Sequence, residues 1–454
     1  MTSQKGGNTG MKESFYNLLL PESNSEYCLL YNTLSGAMIK FEKNLMGDVE
    51  NIFSRYRSPT SIQQLRDEFI KQRFLIADSV DELNTLRQRR QHGIEDKNRY
   101  DVVIMMTQDC NFACRYCYER HKKSLMDQTT TESVLRWLST IIPKVKILYF
   151  SFFGGEPLLA KKGMLTVAKR VYQLCQESGT GLLGNVTTNG YLLDESIASQ
   201  LISNGFDNFQ ITIDGPPEYH NRLRPQKSGR GSFKRVFQNT LRLLKQLKDR
   251  SITIRSNFNA DNLSAIPELY EMIPVQYRSR VRVSLEPIFR SGKLDAGYVL
   301  TETEIGEKMA EVYRQAEKMG FQVPDGAGGL GKLTYCFAER KQQAVINYNG
   351  DVFKCSTCDF EKENRVGFIS EDGGFVKEAL FDKWIPDESF SDNCQKCKLL
   401  PLCMGGCRLH YLNEGTSGSS CGLIPTNASL PLKWTAYKML EDALSRQCPK
   451  RSVT

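Results

Sequence analysis

Three cysteines within eight residues constrain this chain more than any other feature of its sequence. Cys110, Cys114 and Cys117 stand in a C-x3-C-x2-C spacing that follows the apolar run 102–106, which predicts a buried strand. Clustered thiolates on the loop after a strand indicate a metal site. A closed iron–sulfur cube takes one thiolate on each of its four irons, so three cysteines leave one iron open to a small-molecule ligand. A zinc site and a set of structural thiols are the alternatives.

The C-x3-C-x2-C spacing closely resembles that of the radical S-adenosylmethionine (SAM) enzymes. The resemblance implies that Cys110, Cys114 and Cys117 are catalytic and hold a [4Fe–4S] cluster whose open iron chelates the amino and carboxylate groups of SAM. It also implies one-electron cleavage of SAM, after which the 5′-deoxyadenosyl radical takes a hydrogen from an unactivated carbon. The protein has to position that carbon and exclude water, because the cofactor supplies the reactivity.

Length and cysteine usage indicate the general class of protein. A chain of 454 residues suggests about three domains. It has 14 cysteines and no apolar signal region at the N-terminus, so we expect a cytoplasmic protein whose clustered cysteines bind metal rather than form disulfides. No apolar run approaches the roughly 20 residues of a membrane span, and we expect no membrane partner.

The charge balance is modestly basic, with 60 Lys and Arg against 52 Asp and Glu and a net charge of +8. A solvated surface accounts for such an excess, and an acidic peptide partner is the alternative. The sequence has no dense Lys/Arg block with interleaved aromatic residues, so nucleic acid is not an expected partner.

Residues 1–95 are predicted to form a separate module. The strand-like runs 27–32 and 37–41 flank a Thr-Leu-Ser-Gly turn and predict a hairpin. Three helices and a short strand are predicted after the hairpin, at about 43–56, 60–73 and 79–91, and at 74–76. A hairpin followed by helices resembles the winged-helix-like peptide-recognition domain of many ribosomal-peptide maturases, and implies a leader peptide that adds as a strand to an exposed sheet edge. A structural cap or a dimerisation element is the alternative.

Strand and helix patterns alternate between residues 100 and 325, which predicts parallel βαβ units. The predicted strands are 102–106, 147–152, 182–187, 208–213, 251–258 and 281–286. The predicted helices are 128–142, 161–178, 194–204 and 232–248. Polar or Gly-rich signals recur just after the strands, at the active-site end of such a barrel. An α/β fold with a partial, TIM-like (β/α)6 barrel fits this order, and it is also the fold that the radical SAM resemblance implies.

The loops after these strands supply candidates for cofactor binding. In Gly154-Gly155-Glu156-Pro157, the two glycines let the backbone approach a ligand and the carboxylate can accept hydrogen bonds from an ammonium. This loop resembles the SAM amino-group site of the family, although on its own it could be an ordinary strand-to-helix turn. Tyr116 matches the aromatic position that borders the adenine. Asn189 and Asp214 occupy positions that contact the ribose or methionine portions in the family.

The C-terminal third carries a second cysteine pattern. It reads C-x13-G-x4-C, a gap, C-x2-C-x5-C-x3-C, a gap, and a last C. The pattern resembles the seven-cysteine SPASM domain, which gives radical SAM peptide-modifying enzymes two auxiliary iron–sulfur clusters. The resemblance assigns the outer cluster to Cys394, Cys397, Cys403 and Cys421, and the inner cluster to Cys336, Cys355 and Cys407. A zinc ribbon is the alternative for Cys394 and Cys397 alone. Residues 330–425 would form this domain, and 426–454 a closing helix and tail.

Two departures from the seven-cysteine pattern bear on function. Cys358 forms a C-x2-C with Cys355, so the inner cluster either gains a fourth thiolate, which we favour, or keeps an open iron for a substrate thiol. Sulfatase-maturing members, which make formylglycine, place a catalytic aspartate directly after the cysteine of G-x4-C. This chain has Ser356 there and Asp359 three residues later, which weakens the formylglycine prediction.

Together the patterns predict a radical SAM/SPASM oxidoreductase with SAM and three [4Fe–4S] clusters. The expected reaction is an intramolecular crosslink in a ribosomally made precursor peptide with a leader segment. We favour a cysteine thioether over a carbon–carbon bond, with formylglycine formation third. An electron donor such as flavodoxin or ferredoxin is the second expected partner. An iron–sulfur electron carrier or leader-binding scaffold is the non-enzymatic alternative, but it would not need the Gly-Gly-Glu-Pro loop. The remaining cysteines, Cys28, Cys175 and Cys448, are predicted to be packing or surface residues.

Overall fold

The structure is a computed structural model that describes residues 10–21, 26–54, 63–288, 302–324, 331–387 and 389–414. Its strands are β1 Met11–Glu13, β2 Asn17–Pro21, β3 Tyr27–Asn32, β4 Met38–Glu42, β5 Leu75–Ala77, β6 Arg99–Met105, β7 Ile147–Phe153, β8 Gly181–Thr188, β9 Phe206–Thr212, β10 Ile252–Phe258, β11 Val281–Pro287, β12 Gln343–Ile346, β13 Asp351–Phe353, β14 Gly367–Ile369 and β15 Phe375–Lys377. Its helices are α1 Met46–Ser54, α2 Gln63–Lys71, α3 Glu82–Ile94, α4 Gln128–Ile141, α5 Lys161–Ser178, α6 Glu195–Ser203, α7 Pro217–Leu223, α8 Phe233–Gln246, α9 Ile266–Glu271, α10 Val275–Arg278, α11 Glu302–Lys318, α12 Leu380–Trp384, α13 Asp392–Gln395, α14 Leu400–Cys403 and α15 Arg408–Glu414. Within these ranges, every helix is too short or too polar to cross a membrane.

A ten-stranded sheet forms the centre of the molecule, in the order β11-β10-β9-β8-β7-β6-β12-β13-β14-β15. Strands β6 to β11 are parallel to their neighbours throughout, which confirms the predicted α/β class and its six parallel strands. Strand β12 adds to β6, again in parallel. The antiparallel strands β13, β14 and β15 extend this side of the sheet.

The two faces of β6 show why the chain folds into layers. Successive side chains of a strand point to opposite faces. Val102 and Ile104 belong to the large core that includes Trp137 of α4. Val103 and Met105 pack on the opposite face, in a smaller cluster of buried residues. Full burial of each such side chain contributes about 1.5–3 kcal/mol, so both faces of the strand are tied to packed layers.

The N-terminal part contains two small sheets. Strand β3 pairs with β4 in the predicted hairpin and with β2 on its other side, both antiparallel. Strand β1 pairs with β5. Gly36 closes the hairpin turn with a φ of 77°, and its N–H donates to the carbonyl of Asn32 at 2.8 Å. The sequence patterns predicted β5 but neither β1 nor β2.

This N-terminal part packs on the distant cysteine-rich segment. Leu18, Leu29 and Tyr31 share a core with Leu399. The Nζ of Lys398 donates to the carbonyl of Asn17 at 2.9 Å. The carbonyl of Lys398 in turn accepts from the Thr33 hydroxyl at 2.5 Å. The first hundred residues and the C-terminal third therefore meet directly.

Parts of the predictions lie outside the described residues. They are Cys421, Cys448, the helix expected near residues 432–440, and the first residues of the helix expected at 60–73.

Candidate active site and cysteine groups

The carboxyl ends of the parallel strands bring the predicted loops to one edge of the sheet. Met105 is opposite Phe153, so the loop after β6 lies beside the loop after β7. Thr188, the last residue of β8, is opposite Ile211 of β9. The three-cysteine loop, the Gly-Gly-Glu-Pro loop, Asn189 and Asp214 therefore follow the ends of four neighbouring strands, as expected for an active site of this architecture.

The three-cysteine loop is fixed by the segment after α7. The N–H groups of Ala113 and Arg115 donate to the carbonyls of Pro225 and Leu223, at 2.8 and 3.0 Å. Phe112 pairs with Gln226 in an isolated β-bridge. These backbone contacts hold the loop in place. The sequence patterns predicted no role for residues 223–226, which make them.

The three thiols lie in a buried environment. Burial raises the pKa of Cys110 to about 12 and the pKa of Cys117 to about 11, and Cys114 contributes to both increases. Burial likewise raises the pKa of Cys114. Burial therefore favours the protonated thiols, whereas a bound metal would favour their deprotonation.

Three cysteine thiols on one loop form the donor set of this site. Among the described residues, no three His, Cys, Asp or Glu side chains converge closely enough to hold one metal ion. An iron–sulfur cluster held by three thiolates keeps one iron open to another ligand. The donor set of three cysteines on one loop thus fits an iron–sulfur cluster.

The two glycines of the Gly-Gly-Glu-Pro loop are required by contacts within the chain. A Cβ on Gly154, whose φ is 118°, would lie 2.6 Å from the carbonyl oxygen of Thr107. A Cβ on Gly155 would lie 2.2 Å from the carbonyl oxygen of Asp109. The sequence predicted a close approach of this backbone to a ligand. The observed close approach is to the backbone of the cysteine loop.

Glu156 connects the loops after β7 and β8. Its fully buried carboxylate accepts hydrogen bonds from the Thr188 hydroxyl at 2.6 Å, the Asn189 N–H at 2.8 Å and the Leu158 N–H at 3.1 Å. Burial raises the pKa of Glu156, and these donors counteract that increase. The carboxylate therefore fixes the position of two neighbouring loops.

Asn189 extends this connection to the first cysteine. Its Nδ2 donates to Asn111 Oδ1 at 2.7 Å and lies 3.9 Å from the Sγ of Cys110. The Nδ2 of Asn111 is buried and has no hydrogen-bond partner among the described residues. The structure thus brings Cys110, Asn189 and Glu156 into one continuous group.

Tyr116 and Asp214 belong to a second buried group. The Tyr116 hydroxyl donates to Asp214 Oδ2 at 2.5 Å, and accepts from Arg224 Nη1 at 2.5 Å and from Asn257 Nδ2 at 2.9 Å. Asp214 also accepts from the Asn257 N–H at 2.8 Å. Burial raises the pKa of Asp214, whereas the Arg224 guanidinium acts in the opposite direction. Sequence reasoning missed Arg224 and Asn257, because neither lies in a recognisable motif.

The cysteines assigned to the inner cluster lie near one another. Burial raises the pKa of Cys336 to about 12, and the neighbouring Glu339, Cys355 and Cys407 add to this increase. The Cys358 thiol donates to the Cys355 carbonyl at 3.0 Å. Cys358 also packs with residues of β6, on the face of the sheet opposite the helical core.

Three of the four cysteines assigned to the outer cluster lie within the described residues. Cys394 and Cys397 both pack against the core around Tyr16, and Cys403 is buried at the end of α14. The fourth predicted ligand lies outside the described residues. Cys28 and Cys175 are buried in apolar clusters, as expected for packing residues.

Comparison with known proteins defines the class of the central domain. Residues 104–273 match the model of the Radical SAM superfamily, and the chain therefore contains a radical SAM domain. Proteins of this superfamily use SAM and a [4Fe–4S] cluster. The match spans the three-cysteine loop and the strand ends described above.

Individual relatives cover more of the chain. The serine-type anaerobic sulfatase-maturating enzyme of Klebsiella aerogenes is 23% identical over 332 residues, which cover 69% of this chain and 80% of that protein. The radical SAM cyclopropyl synthase TigE of Paramaledivibacter caminithermalis is 24% identical over 414 residues, covering 81% and 80%. The solved structure of anSMEcpe with bound AdoMet and Cp18Cys peptide has a TM-score of 0.56 at 20% identity, covering 77% of this chain and 97% of that one. At this identity the structural similarity shows the fold.

Proposed function

We propose that this chain is a radical SAM/SPASM maturase that modifies a ribosomally made precursor peptide. The observation that carries the proposal is the contact between Cys110, Asn189 and Glu156, which joins the cysteine loop to the loops after β7 and β8. The relatives support a peptide or protein substrate, because they include sulfatase-maturating enzymes and a structure with a bound peptide.

The residues of the radical site have separate roles in this proposal. Cys110, Cys114 and Cys117 hold the [4Fe–4S] cluster, which with SAM supplies the hydrogen-abstracting oxidant. Gly154, Gly155, Glu156 and Asn189 hold the amino-acid part of SAM, and Tyr116 and Asp214 border its adenosine. Arg224 and Asn257 orient the Tyr116 hydroxyl. Because these side chains are already fixed by one another, the site is preorganised before substrate arrives.

Residues 330–425 would form the SPASM domain, which raises the total to three [4Fe–4S] clusters. Cys336, Cys355 and Cys407 hold the inner cluster with Cys358 as its fourth thiolate, which the proximity of Cys355 and Cys358 supports. The outer cluster is assigned to the cysteines of the second pattern: Cys394, Cys397, Cys403 and Cys421. Clusters held by these cysteines would supply an acceptor for the electron that the substrate radical must lose, and a flavodoxin or ferredoxin would be the donor to the first cluster.

Residues 1–95 would recognise the leader of the precursor peptide in a winged-helix-like domain. In the order β2-β3-β4, both outer strands have one free side within the described part of the chain. A peptide strand can pair with such an edge. Residues 100–325 would form the partial (β/α)6 barrel, and 426–454 a C-terminal helix and tail.

The favoured product is a cysteine thioether. One C–H and one S–H bond would be lost and one C–S bond would form. SAM would supply the acceptor of the hydrogen atom, the cysteines of the second pattern would hold the acceptor of one electron, and one proton would pass to solvent. A carbon–carbon crosslink loses the same two hydrogens. Formylglycine formation is the second candidate function, which the sulfatase-maturating relatives favour. Ser356 in the aspartate position argues against it, and Asp359 is ion-paired with Arg120 at 3.1 Å.

Mass spectrometry of a candidate precursor peptide tests this proposal. The peptide is incubated anaerobically with reconstituted protein, SAM and a reductant, then treated with iodoacetamide to count free thiols. Loss of two hydrogens per event, with loss of one alkylatable cysteine, supports the thioether. The same mass loss with all thiols retained favours a carbon–carbon bond or the aldehyde made from a serine. Replacement of a cysteine sulfur by a carbonyl oxygen favours formylglycine made from a cysteine. A Cys114→Ser protein is the control and should leave the peptide unchanged.

A further inference from the structure

A buried carboxylate lies beside the inner cysteine group. Glu339 follows Cys336 by three residues and is fully buried. Among the charged neighbours of Cys336, Glu339 has the largest effect on the thiol and disfavours its ionised form. The carboxylate accepts hydrogen bonds from the Tyr335 N–H at 3.0 Å and from Arg90 Nη2 at 3.1 Å. Burial raises the pKa of Glu339, and the Arg90 guanidinium and the Tyr335 N–H counteract that increase. The carboxylate therefore lies next to a proposed ligand of the cluster.

The cation that balances this carboxylate comes from the N-terminal part of the chain. Arg90 lies in α3, 249 residues from Glu339, and its side chain is 7% exposed. The guanidinium lies over the ring of Phe390 at 4.9 Å. Its Nε has no hydrogen-bond partner within the described residues. A guanidinium stays protonated at physiological pH, so Arg90 brings a permanent positive charge to the buried pair.

Arg90 and Glu339 line a cavity together with one cysteine of the inner group. The cavity has a volume of about 190 Å³ and is also lined by Cys407 and Arg408. Arg408 donates two hydrogen bonds to the carbonyl of Lys383, at 3.1 and 2.7 Å. A cluster bound through Cys407 would therefore lie beside the same cavity as these charges and would interact with them electrostatically.

We propose that Glu339 and Arg90 set the reduction potential of the inner auxiliary cluster, with Arg90 screening the carboxylate. This inference rests on the proposed function, because it requires a cluster at Cys336, Cys355 and Cys407. Reduction adds negative charge to a cluster, so a nearby carboxylate lowers its potential and a nearby guanidinium raises it. Through Arg90, the N-terminal part of the chain thereby affects the reduction potential of the proposed electron acceptor, although it is distant in sequence from the cysteines.

A redox titration of the reconstituted full-length protein, followed by electron paramagnetic resonance, tests the proposal. Glu339→Gln removes the negative charge and retains an oxygen for the Tyr335 N–H, and should raise the potential of one cluster. Arg90→Met leaves the carboxylate unscreened and should lower the potential of the same cluster. We expect about a tenfold change in the one-electron equilibrium in each case, or about 59 mV. Arg87→Met, on the same helix, is the matched control and should leave every potential unchanged.

Opposite shifts in the two variants distinguish a charge effect from structural damage. Unchanged potentials in both variants, or shifts of the same sign, would overturn the proposal. A Cys336→Ser/Cys355→Ser/Cys407→Ser protein separates this result from a failure of the proposed function. If that protein binds as much iron as the wild type and keeps all of its cluster signals, no cluster forms at these cysteines, and both proposals are wrong.

Discussion

Gly155 shows how closely single residues fit at the candidate active site. A Cβ at this position would lie 2.2 Å from the carbonyl oxygen of Asp109. The obstructing atom is backbone, so it cannot move without shifting the cysteine loop. The nearby Glu156 N–H donates to that same carbonyl at 2.8 Å, and would have to shift with it.

We therefore expect Gly155→Ala to lower the free energy of unfolding by about 1–3 kcal/mol, as overpacking typically does. It should also reduce iron incorporation at the first cluster. Chemical denaturation and iron analysis measure the two effects. Gly47→Ala in α1 is the control, because its Cβ would meet nothing within 4 Å. Equal stability and iron content in the two variants would contradict the described packing.

His220 should make the free energy of unfolding depend on pH. The imidazole is fully buried, its Nδ1 accepts from the Asp214 N–H at 3.2 Å, and its Nε2 lies 3.0 Å from the Ser232 hydroxyl. Burial lowers the pKa of His220 well below its ordinary value of 6.5, and the Arg224 charge lowers it further. Below pH 6.5, His220 therefore binds a proton in the unfolded chain but stays neutral in the folded protein.

Stability should consequently fall as the pH decreases below about 6.5, by up to about 1.4 kcal/mol per pH unit from this group. Thermal unfolding between pH 7.5 and pH 5 measures the slope. His220→Gln should flatten it, whereas His92→Gln, at an exposed position of α3, should leave it unchanged. A slope that is the same in all three proteins would show that His220 does not remain neutral in the folded state.

At the scale of elements, the side chain of Leu399 packs at the contact between the N-terminal sheet and the cysteine-rich segment. Leu399 is 2% exposed and packs with Leu18, Leu29 and Tyr31. Leu399→Ala should cost about 2–5 kcal/mol through lost burial and a cavity. Limited proteolysis should then release the N-terminal sheet earlier than in wild type. Val376→Ala, at a 41% exposed position, is the control. Unchanged stability and proteolysis of Leu399→Ala would contradict this docking.

The parallel strands β6 to β11 could be predicted because each has seven or eight residues, enough to show an apolar or alternating pattern. Strands β12 to β15 could not, because each has only three or four residues and so shows no periodicity. The cysteines, Glu156 and Asp214 could be proposed from residue type and spacing. Arg224 and Asn257 could not, because they reach Tyr116 across 108 and 141 residues of chain. Contacts of this kind depend on the strand order, which no local pattern specifies.

At the scale of the whole molecule, distant parts of the sequence meet around the proposed clusters. The N-terminal sheet contacts the segment of Cys397 through Lys398 and Leu399, and α3 contacts the segment of Cys336 through the Arg90–Glu339 pair. The loop after the first three cysteines contacts the Cys358 segment through Lys122, whose Nζ lies 2.8 Å from Glu361. The chain thus connects a radical SAM domain, a second cysteine group and the N-terminal sheet within one structure.

Release of 5′-deoxyadenosine tests the central claim most directly. Reconstituted, reduced protein is mixed with SAM under anaerobic conditions, and the product is measured by liquid chromatography. The wild-type protein should release 5′-deoxyadenosine, and Cys114→Ser should release none above background, because the variant lacks one thiolate of the first cluster. No release from iron-loaded, reduced wild-type protein, or equal release from both proteins, would contradict a radical SAM site at these cysteines.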